Sequence, residues 1–257
     1  MSRRGVALWL DHASVSVPNL AAAVEHLDGR LGLRATVSPE APERHSRVYL
    51  DRSYLEVSAG SDGDGWEATL FFLRFDDPRA LRAHMDAAGI DYWFGEYEGV
   101  DGTWDDVEIR FGTVPLPTLI RRTAPAAVAR DWPPALAEDH RCGARALAAM
   151  HVEVPSLDEA LEAYRRLLGA REPSCSGPER RRAHVPLASG ELILHEGGSG
   201  GIVGIVLGVP SLAATRAALG VELGRTDDDV AWLDPAETFG LRLGFAELEG
   251  GVRAAGI

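Results

Sequence analysis

The polarity pattern changes period within the first thirty residues. Asp11-His12-Ala13-Ser14-Val15-Ser16-Val17 alternates in steps of two, as a strand does, and Pro18-Asn19 breaks it. Leu20 to Leu27 then carries apolar residues at helical spacing and ends among glycines, near Gly29 to Gly32. The same succession returns later. Met150-His151-Val152-Glu153-Val154 reads as a strand, Pro155-Ser156 as a turn, and Leu157 to Leu168 as a helix closed by Gly169.

Two fainter copies complete the series. Leu70 to Phe75 is followed by Asp76-Asp77-Pro78 and a helix from Arg79 to Ala88 before Gly89. Ile202 to Val209 is followed by Pro210-Ser211 and a short helix ending at Leu219 and Gly220. Three short β-like stretches follow each helix. In the first copy they fall near Arg34–Val37, Ser46–Asp51 and Tyr54–Ser58; in the third, near Ala170–Cys175, Arg182–Leu187 and Glu191–His195.

The chain therefore reads as α+β, four tandem βαβββ units, with a period near 60 residues. One unit alone leaves a sheet face bare, so the units are expected to pair into two open-barrel domains. The pattern places these at 1–123 and 145–248, with a linker over 124–144 around Trp132-Pro133-Pro134 and a tail over 249–257. Gly197-Gly198-Ser199-Gly200-Gly201 reads as a flexible connection between units.

Composition narrows the chemistry. The 257 residues carry 26 basic and 39 acidic side chains, a net charge of -13, which argues against a nucleic-acid surface. Every basic residue is arginine, which excludes a Schiff-base lysine and a Walker-A lysine. No apolar run approaches the roughly 20 residues of a membrane helix, and the opening apolar stretch, broken at Asp11, is too short for a signal peptide. Cys142 and Cys175 are too few for a disulfide framework, so a reducing cytoplasm is expected. His140-Arg141-Cys142-Gly143 defines no nucleophile pair, and Cys142 reads as structural. No serine elbow, zinc-finger spacing or dinucleotide fingerprint occurs.

Leu10-Asp11-His12 with Val15-Ser16-Val17-Pro18-Asn19-Leu20 resembles the opening of the vicinal-oxygen-chelate superfamily. That group includes glyoxalase I, extradiol dioxygenases and bleomycin-resistance proteins. Ser53-Tyr54-Leu55-Glu56-Val57 resembles its fourth strand, and Asp234-Pro235 to Leu243 resembles its ending. The nearest likeness is to the glyoxalase-like branch. The resemblance implies paired βαβββ units curved around one divalent metal (zinc, nickel, iron or manganese), held by ligands from the first and fourth strands of each unit. It implies a small-molecule ligand and a monomer or homodimer, and the charge balance and the lack of a long apolar run add the expectation of no nucleic-acid or membrane partner.

Carried over residue by residue, the resemblance makes His12 and Glu56 metal ligands, with Glu56 also the candidate catalytic group. The other positions depart from the pattern. Leu70, Ala149 and Gly204 stand at the remaining first-strand positions, and Ile193 and Arg242 at later fourth-strand ones. His151, Glu191 and His195 form a secondary candidate set, out of register. Among the residues themselves, Tyr92, Trp93, Phe94, Tyr97 and Trp104 are a dense aromatic group, suited to stacking a flat ligand, with Trp93, Phe94 and Trp104 as candidate contacts. Arg121, beside Arg122, could clamp an anionic group. Three readings stand: a metal-assisted lyase or isomerase with a partly degenerate site, a metal-free binding protein resembling the drug-resistance branch, and, ranked last, an extradiol-type dioxygenase.

Overall fold

The computed structural model describes residues 6–37, 44–60, 63–99, 102–110, 114–123, 140–169, 174–176, 182–198, 200–225 and 229–248. Residues 124–139 of the expected linker, the expected tail from 249 and the Ala170 end of one expected strand lie outside these residues.

The elements run as four copies of one succession. The first is β1 (Trp9–Val17), α1 (Leu20–Gly29), β2 (Thr36–Val37), β3 (His45–Tyr49) and β4 (Tyr54–Ala59). The second is β5 (Glu67–Arg74), α2 (Pro78–Ala88), β6 (Tyr92–Gly99), β7 (Gly102–Ile109) and β8 (Thr118–Thr123). The third is β9 (Ala146–Val154), α3 (Leu157–Leu168), β10 (Ser174–Ser176), β11 (Arg182–Pro186) and β12 (Glu191–Glu196). The fourth is β13 (Gly201–Val209), α4 (Leu212–Leu219), β14 (Gly224–Arg225), β15 (Ala231–Trp232), a 3-10 turn at Pro235–Thr238, and β16 (Leu243–Glu247).

One device starts all four helices. Asn19, Asp77, Ser156 and Ser211 each sit in extended backbone and accept a hydrogen bond from an amide of the first turn. That satisfies donors a helix start otherwise leaves open. Asp77 serves two, the amides of Arg79 and Ala80, at 2.9 and 3.0 Å. The second helix begins at Pro78, one residue earlier than the sequence suggests, because a proline at the first helical position has no amide to satisfy. Gly89 and Gly220 close α2 and α4 in the left-handed region, at φ 62° and 63°.

The strands form two open eight-stranded sheets, ordered β2-β3-β4-β1-β5-β8-β7-β6 and β10-β11-β12-β9-β13-β16-β15-β14. The expected α+β class and fourfold succession are both present. Both faces of β1 are covered. Ala13, Val15 and Val17 are buried, but so are His12 and Ser14. A central strand is covered on both faces, so alternation there sorts chemistry rather than exposure.

Contacts divide the chain into two compact units, one built mainly from the second and third repeats, the other mainly from the first and fourth. In the unit of the second and third repeats, Leu73, Phe75, Leu81, Met85, Tyr164 and Leu167 are enclosed. The Tyr164 hydroxyl donates to the Pro115 carbonyl at 3.1 Å, and burial pushes its pKa far above the ordinary phenol value. The helix ends are tied reciprocally. Arg166 of α3 donates to the carbonyls of Ala88 and Gly89 at 2.8 and 2.7 Å, and His84 of α2 bonds the Arg166 carbonyl at 2.8 Å. A cation on carbonyls that a helix end leaves open also suits the helix dipole.

In the unit of the first and fourth repeats, Arg141 has the same task, donating to the Gly29 and Ala218 carbonyls near the ends of α1 and α4. His140 beside it bonds the Tyr49 carbonyl at 2.6 Å and accepts from the Arg34 amide at 3.1 Å. Cys142 is buried, its carbonyl accepts from Thr215, and burial raises its thiol pKa to about 11, which suits a structural residue. Arg166→Met is expected to cost about 1–2 kcal/mol, read as a melting temperature lower by roughly 2–6 °C. An unchanged melting curve would remove Arg166 from the account of how α2 ends.

Candidate functional site

The hairpin of β3 and β4 carries the first candidate residues. Pairing runs Tyr49 to Tyr54, Arg47 to Glu56 and His45 to Ser58, so these six side chains leave on one face. Glu56 lies 3.7 Å from Arg47 Nε, and its other oxygen accepts from Ser14 Oγ at 3.5 Å. Arg47 also lies over the Tyr54 ring, 5.4 Å from its centre. Burial works against the Arg47 charge, but Tyr54, Tyr49 and Glu56 outweigh it and hold its pKa above the ordinary guanidinium value. Arg47 was not singled out from the sequence. Counting outward from the Tyr49–Tyr54 closure of the hairpin would have found it opposite Glu56.

His12, in the unit of the second and third repeats, is buried with its ring flat on Phe72, centroids 3.9 Å apart and planes at 14°. Its Nδ1 lies 3.8 Å from the Asp11 carboxylate.

On β6, β7 and β8 the aromatic group separates by strand face. Tyr92 and Phe94 turn toward α2, where the Tyr92 hydroxyl donates to Asp86 at 3.0 Å and the Arg82 guanidinium lies 3.7 Å above Phe94. Trp93, Tyr97 and Trp104 share the other face, because Tyr97 pairs with Trp104 and Trp93 with Glu108. Tyr97 and Trp104 are parallel within 9° at 6.4 Å, and Arg122 lies 5.4 Å from Trp104. Arg121 points the opposite way and is bound to buried Asp105 at 2.6 Å. Trp93 and Tyr97 are 47% and 48% exposed, so this is an open aromatic shelf.

Two residues that sequence reasoning missed shape the shelf. The Trp93 indole lies across Gly95, where a Cβ would come within 2.0 Å of the ring. Asp106 faces Gly95 across the strands and stands between Trp104 and Glu108 on β7. Its Oδ1 is enclosed and has no hydrogen-bond partner among the described residues. Burial first, and Glu108 second, raise the Asp106 pKa above the ordinary carboxylate value.

In the third repeat, the secondary candidates divide into two pairs. His151 Nδ1 and His195 Nε2 are 2.9 Å apart with stacked rings, whereas Glu191 bonds His184 Nδ1 at 3.0 Å.

The family implied by the sequence needs several ligands converging on a metal, and the residue types here do not fit that requirement. Seven residues before the four helix caps stand His12, Leu70, Ala149 and Gly204, of which one can ligate. Among the described residues, no group of three or more histidine, cysteine or acidic side chains could hold a metal ion.

Residues 10–168 match the profile of the glyoxalase-like domain family, and the chain belongs to that family. Among solved structures it is similar to the Mn(II)-bound glyoxalase from Novosphingobium aromaticivorans, at 12% identity and TM-score 0.67, covering 95% of this chain and 82% of that one. It is also similar to the 2,3-dioxygenase LapB from Pseudomonas sp. KL28, at 17% identity and TM-score 0.66, covering 95% and 93%. A third is a hypothetical protein from Staphylococcus aureus, at 8% identity and TM-score 0.66, covering 94% and 99%. These likenesses show a shared fold. No curated protein sequence matches the chain. No helix among the described residues is long and apolar enough to cross a membrane.

Gly95→Ala is expected to swing Trp93 off the strand. The ring's far end can move, so the stability cost stays under about 1 kcal/mol, while acrylamide quenching of tryptophan emission rises. Unchanged quenching would mean that Gly95 does not set the shelf.

Proposed function

We propose that this chain is a metal-independent small-molecule-binding protein of the glyoxalase-like family. Its ligand is a flat ring system bearing a positive charge, taken up on the β6–β7–β8 shelf. One observation carries the reading: an exposed indole whose far end lies across a glycine, beside an enclosed carboxylate oxygen without a partner among the described residues. Exposed Trp93 and Tyr97 offer ring faces for stacking. A carboxylate oxygen enclosed without a donor is costly, and a cation brought alongside relieves that cost. The indole adds cation–π attraction. A net charge of -13 favours the approach of a cation over that of an anion.

A metal-assisted lyase or isomerase would take His12 and Glu56 as ligands. Leu70, Ala149 and Gly204 cannot complete the set, and no observation on these residues favours that reading.

The test is titration of tryptophan fluorescence with a planar organic cation such as ethidium, and with a neutral planar compound of similar size. The cation is expected to quench saturably and to bind about tenfold more tightly than the neutral compound. Asp106→Asn should remove that preference, and Trp93→Ala should weaken both ligands. Because the Asp106 pKa is raised, the preference should fade on acidification before an ordinary aspartate would protonate. Absence of saturable quenching, or an Asp106→Asn variant that keeps the preference, would contradict the proposal.

A further inference from the structure

The β3–β4 hairpin shows what stands beside the one carboxylate at a family ligand position. Arg47 is directly opposite Glu56 in register, and both side chains are largely buried, 11% and 20% exposed. Each oxygen of Glu56 is engaged: Oε2 by Arg47 at 3.7 Å, Oε1 by the Ser14 hydroxyl at 3.5 Å. His45 comes within 3.9 Å of Oε1, while its Nδ1 bonds Ser58 Oγ at 2.9 Å. The arginine is itself positioned by the Tyr54 ring beneath it.

The geometry points to Arg47 as a resident cation that does at Glu56 what a metal does in a metal-bound protein of this fold: it compensates the carboxylate from within the chain. A carboxylate withdrawn from water needs a positive partner. A divalent metal meets that need where three or more ligands gather it. A guanidinium meets it with one residue, stays charged at every working pH, and needs no further ligand. A metal ion approaching Glu56 would face a like charge already in place. The aromatic shelf plays no part in this inference, which rests on the proposed function only for the absence of a resident metal; a failure of ligand binding at the shelf leaves it standing.

The test is the melting temperature of the full chain with EDTA and with manganese, zinc or nickel added, for the wild type, Arg47→Met, Arg47→Lys and the double variant Arg47→Met with Glu56→Gln. The wild-type temperature is expected not to move with chelator or metal. Arg47→Met should lower it by roughly 3–6 °C, because Glu56 is left uncompensated. Neutralising Glu56 in the double variant should restore most of the loss, and Arg47→Lys should retain most of the wild-type value. A wild-type melting temperature that falls with EDTA or rises with metal would overturn the inference. So would a double variant no more stable than Arg47→Met. If Arg47→Met fails to fold, the double variant decides alone: a folded protein near the wild-type temperature upholds the inference, and an unfolded one overturns it.

Discussion

A strand offers its side chains to two faces in strict alternation, and one residue of slip exchanges the faces. In this chain a polar residue caps the helix after the first strand of every repeat. Asn19, Asp77, Ser156 and Ser211 sit in extended backbone and hold amides of the first helical turn. The cap thereby fixes which strand residues turn toward the helix and which turn away. The same alternation in the β3–β4 and β6–β7 pairings places the Arg47–Glu56 pair and the aromatic shelf.

The two faces carry different physics. Toward the helix, charge is neutralised in place: Arg121 meets buried Asp105 directly across the strands, and Arg82 covers Phe94. On the other face, side chains are only partly matched. Trp93 and Tyr97 present ring surface, and Asp106 holds an enclosed oxygen beside them. Incomplete matching of this kind is where a ligand can gain most, since each contact it makes replaces one the protein lacks.

Local signals made much of the framework legible. Proline and cap residues, helical spacing and terminal glycines mark all four repeats, and the third helix runs from Leu157 to Leu168 as its periodicity indicates. The site was less legible, because its meaning lies across strands. The five aromatics of the second repeat form one cluster in sequence but two groups in space, since Tyr92 and Phe94 alternate with Trp93 and the β6–β7 register aligns Tyr97 with Trp104. Arg121 and Arg122 are neighbours in sequence yet point to opposite faces, one to Asp105 and the other to Trp104. Arg47, Gly95 and Asp106 matter through their cross-strand partners, which no local pattern announces.

In the function proposed, the family framework stands in this chain apart from the family's metal chemistry. The glyoxalase-like succession repeats four times, while the first-strand positions that would gather a metal hold leucine, alanine and glycine beside a single histidine. In the function proposed, the fold works here without a resident metal. Elemental analysis of the protein, purified from cells without chelators, tests it most directly. Metal is expected far below one atom per chain, unchanged by His12→Ala or Glu56→Gln. One atom per chain, lost on either substitution, would contradict it.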